Sequence, residues 1–453
     1  MVPPLLTVLL FCSGRLRAEV LAPAPLAVVP AQPVVVSTDS ARRTSLHFQT
    51  TVIDQGHARF HAPYSGPHSL LPAPDSAASV TATLFLGLKL RPGTELYLDP
   101  ELAGGRGMSN TEGAAGFPNG EIFRVGDPRP AISIARIFLR QTIGFGNERE
   151  SVADGQNQIS GAAAARRLTV VAGRFSVADY FDNNAYSHDP RSQFLNWALM
   201  NSGAWDYPAD TRGYTWGAMA EYHAPAWALR AAAVAEPEVA NQLELDRRIG
   251  RANGFAIEGE RQLRWGDRKG TARLLAFFNQ ARMGSYDEAV ALAQRTGAAP
   301  DISLARAYGH TKYGFTSSDD LELAENLGGF ARLSWNDGQN ESWAFAEIDQ
   351  SAAAGLDWKP ASWGRPQDAW GVAEVVNGLS GAHRRYLSAG GRGFMLGDGA
   401  LHYGPEMLTE SYYRWQALAH LAVSPDAQFV INPAYNRARG PVPIWGVRVH
   451  AEF

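Results

Sequence analysis

Ala135-Arg136-Ile137-Phe138-Leu139-Arg140-Gln141-Thr142-Ile143-Gly144-Phe145-Gly146 changes character at nearly every second residue. Ile137, Leu139, Ile143 and Phe145 share one face, while Arg136, Phe138, Arg140, Thr142 and Gly144 share the other. A period of two is the side-chain repeat of a β-strand. The face with two arginines must be wet. In a soluble sandwich it would meet bulk solvent; in a closed membrane sheet it would meet the lumen, and the aliphatic face would meet lipid.

Working outward, the same alternation recurs. Ala82, Leu84, Leu86, Leu88 and Leu90 form one face, opposed by Thr81, Thr83, Gly87 and Lys89, with Phe85 the exception. Arg91-Pro92-Gly93 turns the chain, and Leu96 and Leu98 mark the return strand. Further strands are expected over 170–177, 254–263, 271–280, 330–335, 342–348 and 368–378, with compact polar turns at 266–270 and at Asn336-Asp337-Gly338. Segments of this length suit a tilted strand crossing a bilayer core. Helices are expected over 191–201, after Asp189-Pro190, and over 286–296, both inside loops. The last nine residues again alternate: Trp445, Val447, Val449, Ala451 and Phe453 against Gly446, Arg448, His450 and Glu452. A barrel needs its final strand to pair with its first, because an open edge in lipid leaves backbone groups unsatisfied at several kcal/mol each.

Composition agrees with a two-faced sheet. Charged residues make up 19% of the 453, glycine is frequent at 45, and aromatic residues reach 10%. Mean hydropathy is nevertheless slightly polar, at −0.21. After the N-terminus no run of 18 apolar residues occurs, which excludes a helical membrane protein. The net charge of −4, without a basic block, gives no basis for nucleic-acid binding. Cys12 is the single cysteine, so disulfides and thiolate chemistry are excluded once the leader is removed. Residues 1–18 read as a secretory leader cut after Ala18, although no Lys or Arg precedes its apolar run. A misassigned start ahead of a truncated leader is the competing reading. Phe11 before Cys12 argues against a lipoprotein site. Residues 19–44 form an Ala/Pro-rich arm, in which Pro23, Pro25, Pro30 and Pro33 exclude a helix. Residues 45–453 are the expected barrel domain.

Several pieces together resemble the carbohydrate-selective porins of the OprB kind. They are the loop from Gly56 to Gly66, Tyr97-Leu98-Asp99-Pro100-Glu101-Leu102, Ala115-Gly116-Phe117-Pro118-Asn119-Gly120-Glu121, Lys312-Tyr313-Gly314-Phe315, Trp335-Asn336-Asp337-Gly338, Trp363-Gly364-Arg365-Pro366, Gly397-Asp398-Gly399, Asn432-Pro433-Ala434-Tyr435-Asn436, Arg439-Gly440-Pro441-Val442 and the closing His450-Ala451-Glu452-Phe453. The resemblance implies an all-β fold: a transmembrane antiparallel β-barrel of about 16 strands with short helices in its loops. It implies a bacterial outer-membrane channel for passive diffusion of sugars such as glucose, with no enzyme activity and no cofactor. The implied partners are outer-membrane lipid, small sugars and the barrel assembly machinery, whose terminal signal the last strand resembles. Nucleic acid is not among them, and a homo-oligomer is left open.

A sugar carries hydroxyls around its rim and C–H-rich faces above and below. A selective pore therefore pairs hydrogen-bonding groups with aromatic surfaces at its narrowest point. Arg136, Phe138 and Arg140 meet this on one row, about 7 Å apart at alternate positions. Asp99, Glu101, Asn119 and Glu121 are candidate acceptors; Glu410, Tyr413, Asn436, Arg437 and Arg439 are further candidates for the pore lining. Each could instead brace a loop. His57, His61 and His68 lack a matching carboxylate pattern, so no metal site is assigned. The glycine-rich runs at 104–107 and 390–393 lack dinucleotide or phosphate-loop spacing. Two alternatives stay open: a general-diffusion or polysaccharide-export barrel, and a secreted carbohydrate-active enzyme or lectin.

Overall fold

A computed structural model describes residues 42–122, 128–345 and 347–453. The expected leader and nearly all of the expected arm lie outside the described residues. Sixteen antiparallel strands close into one barrel, each paired with its sequence neighbours and β16 with β1. They are β1 Thr44–His57, β2 Asp75–Arg91, β3 Thr94–Gly105, β4 Ala131–Val152, β5 Gly161–Phe175, β6 Thr215–Ala224, β7 Trp227–Ala235 and β8 Asn253–Trp265. The second half comprises β9 Arg268–Ala281, β10 His310–Ala324, β11 Leu327–Asn336, β12 Gln350–Trp358, β13 Ala369–Gly378, β14 Glu406–Leu418, β15 Leu421–Ile431 and β16 Val442–Glu452. Among the described residues three α-helices lie in loops: α1 Trp197–Met200, α2 Tyr286–Thr296 and α3 Gly381–Ser388.

The closing seam runs from Gln49 opposite Glu452 to His57 opposite Ile444. Phe48 and Phe453 extend it by exchanging both backbone hydrogen bonds, at 3.0 and 2.8 Å. Among the described strands no edge is left open, as lipid requires. Tight turns at 92–93, 225–226, 266–267, 325–326 and 419–420 share one rim with the longer connections 153–160 and 359–368. The opposite rim carries all the long loops, including 106–130, 176–214, 282–309, 337–349 and 379–405. Short turns on one side and long loops on the other are the periplasmic and extracellular rims of an outer-membrane barrel.

Strand parity sorts the side chains. On β16, Val442, Ile444, Gly446, Arg448 and His450 are buried, whereas Trp445, Val447 and Val449 are exposed. Ile137, Leu139, Ile143 and Phe145 are exposed on β4, as the Ala135–Gly146 alternation requires, and Leu274 on β9 is 63% exposed. A whole belt of exposed apolar side chains costs too much in water and is expected against lipid. Aromatic residues concentrate at both ends of the belt. Tyr222, Trp227, Trp265, Trp358, Trp363 and Trp370 sit towards the short-turn rim, and Trp216, Tyr313, Trp335 and Trp445 towards the other. These are the interfacial girdles of such barrels.

The lumen is not an open cylinder. Phe117 from one loop, Phe194, Trp197, Leu199, Trp205 and Tyr207 from another, Phe345 from a third and Met395 and Leu396 from a fourth form an apolar cluster inside the wall. The structure corrects three local expectations. Residues 342–345 and 347–348 are loop, because the amides of Trp343, Ala344 and Phe345 all converge on the Asp206 carboxylate instead of a neighbouring strand. Asn336-Asp337-Gly338 opens that long loop and is no hairpin turn. Over 191–201 only one helical turn forms, since the amides of Leu195 and Asn196 are drawn to Glu410. The helix over 286–296 forms with the expected bounds, with Ser285 capping its start and Gly297 in the left-handed region at its end.

Candidate functional site: the luminal passage

The 176–214 loop leaves β5 and crosses the barrel interior. Inward-pointing strand residues catch it at successive places. Glu258 on β8 accepts from the Asp182 amide at 2.8 Å. Arg332 on β11 donates to the Asp182 carboxylate at 3.1 Å and to the carbonyls of Leu199, at 2.6 Å, and Ser187. Glu410 on β14 accepts from Leu195 and Asn196 at 2.5 and 2.9 Å. Arg448 on β16 donates to the carbonyls of Pro190 and Gln193, both at 2.6 Å. A loop cannot leave its backbone groups unpaired inside a packed lumen, and these strand side chains supply the partners.

Pinned to β8, β11, β14 and β16, the loop leaves a cavity of about 520 Å³ beside the inner faces of β1 to β4. Its wall contains Arg136, Phe138 and Arg140 of β4 and Glu101 of β3; the 106–130 loop adds Phe117 and Glu121, and the 176–214 loop adds Asp179, Arg191 and Tyr214. Phe138 stacks on Tyr97 with centroids 5.0 Å apart, and the Arg140 guanidinium lies 4.8 Å from the Tyr97 ring centre. Arg136 forms a bidentate pair with Asp179, at 2.7 and 2.6 Å, which fixes the plane of its fork. Its remaining nitrogen lies 3.5 Å from Asp99, and its guanidinium covers the Tyr214 ring at 5.1 Å.

The acceptors face this row. Glu101 accepts from Thr83 at 2.9 Å and from the Tyr214 hydroxyl at 3.0 Å. Burial, reinforced by Glu101, pushes the Tyr214 phenol well up, so it stays a donor. Glu121 accepts from Thr81 at 2.5 Å and from Arg191 at 2.9 Å. Burial raises the Glu121 carboxyl above the ordinary range, with Arg191 pulling the other way. Asp189, 3.6 Å from Arg191 and partly exposed, is held below that range, chiefly by Arg191 and its backbone N–H.

The remaining candidates fall elsewhere. Asp99 is fully buried behind Arg136, and Asn119 donates to Ser79 at 3.0 Å while accepting from the Glu121 amide at 3.1 Å. Glu410 sits inside the wall, covered by the loop it holds. Tyr413 is corrected outright: on β14 Leu408, Glu410 and Tyr412 point inward, so Tyr413 points out, and its hydroxyl meets Asp368 on the short-turn rim at 2.6 Å. Asn436 and Arg439 tie loops together at the long-loop rim, through Ala400 and Asp398 and through Tyr64 and Leu70 respectively, and Arg437 is exposed. Arg191 and Tyr214 line the cavity without having been expected there, and Tyr97, wholly buried, backs Phe138 from within the wall. Tyr97 shares the parity of Asp99 and Glu101, a signal that could have found it; Arg191 and Tyr214 lie in a loop without periodicity.

With its site geometry established, the chain can be set beside known proteins. The family model described as "Carbohydrate-selective porin, OprB family" matches residues 68–453. The high-pH structure of Pseudomonas putida OprB superposes with a TM-score of 0.68 at 18% identity, covering 91% of this chain and 94% of that one. The low-pH structure of the same protein gives 0.49 at 14%, covering 91% and 93%. The Acinetobacter baumannii outer-membrane channel DcaP gives 0.49 at 9%, covering 91% and 98%. No curated protein sequence matches.

Proposed function

Since the chain belongs to the carbohydrate-selective porin family, and is an outer-membrane β-barrel through which carbohydrates diffuse, we propose that the passage beside β1 to β4 selects mono- and small oligosaccharides. One observation carries this reading. The Phe138 ring, backed by the wholly buried Tyr97, borders the cavity beside two oriented guanidiniums and shares it with the carboxylates of Glu101 and Glu121. The ring offers a surface to the C–H face of a pyranose, the arginines donate to its hydroxyl oxygens, and the carboxylates accept from its hydroxyl protons. An ion passing the same point would meet both signs of charge at once, which favours a neutral polyol over either ion. Diffusion needs no chemical step, cofactor or energy source. Biogenesis through the barrel assembly machinery is part of the same proposal, supported by the β16 seam.

Reconstituted single channels with glucose in the bath test this. Wild type is expected to show concentration-dependent block of ion current. Arg140→Ala is expected to weaken that block about three- to tenfold, the net value of one hydrogen bond. Arg136→Ala should do more, because Asp179 and Asp99 lose their counter-charge. Unchanged block in both variants would remove the arginine row from the site. A wild-type channel indifferent to every sugar would favour a general pore.

A further inference from the structure

The longest strand in the barrel is β4, and it outruns its neighbours. β3 follows β4 only as far as Gln141, and β6 follows β5 only as far as Arg167. Beyond those points the two strands pair with each other alone, as a hairpin standing past the short-turn rim. Its ladder breaks between Phe145 and Arg149, where Gly146 takes a φ of +76° that other residues rarely adopt. A bulge of this kind bends a hairpin and re-aims its tip.

The bent hairpin returns into the lumen. Its tip, 153–160, closes on itself between Gly155 and Gln158 and is anchored by Ile159, which is buried beside Tyr97 at the space left by Gly87. Arg140 donates to the Asn157 carbonyl at 2.9 Å, and Asn157 Nδ2 donates to Asp99 at 2.8 Å. Gln156 Nε2 donates to Gln49 at 2.9 Å and to Glu452 at 3.1 Å. Gln156, Asn157 and Gln158 border the same cavity as the arginine row. Asn157, which borders the cavity, has its Oδ1 buried and accepting no hydrogen bond from the described residues. Buried acceptors without a donor are costly unless something arrives to fill them.

We propose that the folded-back 153–160 tip is the exit constriction of the passage, and that Gln156, Asn157 and Gln158 form a subsite for the hydroxyl groups of a sugar leaving towards the periplasm. Amides suit this task because each both donates and accepts, and because they hold a polyol without holding an ion. The subsite rests on the proposed selectivity for carbohydrate; the constriction does not.

Two variants separate them, each first checked for heat-modifiable migration as a sign of a closed barrel. Replacing 153–160 with a two-residue Asn-Gly turn is expected to raise single-channel conductance about twofold or more. The triple variant Gln156→Ala, Asn157→Ala, Gln158→Ala keeps the tip and is expected to weaken glucose block about three- to tenfold, most strongly for sugar added on the short-turn side. Unchanged conductance in the turn replacement, or, should that fail to close, in Ile159→Asp, which removes the buried anchor of the tip, overturns the constriction whatever sugars do. Normal glucose block in the triple variant overturns the subsite. Wild-type channels that ignore glucose sink the carbohydrate reading and the subsite with it, while the conductance result still decides the constriction.

Discussion

At the scale of single residues, the passage is governed by how each charge is partnered. Glu121 and Asp189 share Arg191 yet are pushed in opposite directions, Glu121 up by burial and Asp189 down by the Arg191 guanidinium, the Arg191 amide and the Ser192 hydroxyl. A carboxyl whose folded pKa lies above its unfolded one takes up a proton while free glutamates, at about 4.3, are still ionised. Its charged form therefore costs stability at neutral pH, and that cost disappears as pH falls through the folded value. In the same window Asp189 stays ionised and keeps Arg191 in place. Acidification from neutral towards the ordinary carboxylate range should thus remove one negative charge from the cavity wall and shift reversal potentials in a salt gradient towards anions. Glu121→Gln should show the shifted potential already at neutral pH and no further change across that window. A variant that still tracks the wild-type titration would assign the effect to another group. None of this was legible in the sequence beyond parity. Alternation put Arg136, Phe138 and Arg140 on one face, and the same rule applied to β14 would have turned Tyr413 outward. What alternation cannot supply is the partner from a loop far away in the chain, such as Asp179 or Arg191.

At the scale of elements, the strands were readable and the loops were not, for a physical reason. A strand in lipid repeats one contrast, apolar against polar, so its signal is periodic. The luminal loops obey no period, because their backbone groups are satisfied by scattered side chains from the wall. That is why 342–348 looks like a strand and 191–201 like a longer helix, although the first is gathered by Asp206 and the second by Glu410. Among the described helices α2 carries both its own cap and its own glycine stop, and it was legible from local sequence. The consequence is that the 176–214 loop depends on wall residues more than on its own sequence. Arg332 is the most heavily used of these, touching the loop at Asp182, Ser187 and Leu199. Arg332→Met should leave the buried Asp182 without its counter-charge and cost about 3–5 kcal/mol locally. The expected readouts are flickering single-channel currents and protease cleavage within 176–214, in a barrel that still migrates as closed. A quiet channel and an intact loop would mean the remaining pins suffice.

For the molecule as a whole, the decisive question is which side of the sheet meets lipid. The barrel's interior is as apolar in places as a soluble core, with Trp197, Phe345 and Leu396 packed beneath the loops, so the mere presence of buried hydrophobic residues does not discriminate. The outer face does. Leu274 and Leu275 are adjacent on β9, and parity sends the first outward, 63% exposed, and the second inward, wholly buried. In a soluble barrel an arginine at the exposed position would be harmless. In a bilayer, near the middle of the strand, it should cost about 2–4 kcal/mol, since the guanidinium must be dragged towards an interface. Leu274→Arg is therefore expected to fold poorly into vesicles and to lose that much unfolding free energy there. The same change near a rim, at Trp265, should cost about 1 kcal/mol or less, because the headgroups are close. A depth profile of this form, steep at the centre of β9 and shallow at the end of β8, would require a hydrocarbon slab around the barrel. Equal, negligible costs at both positions would mean that water surrounds it instead, and the apolar belt would then need a protein partner to cover it.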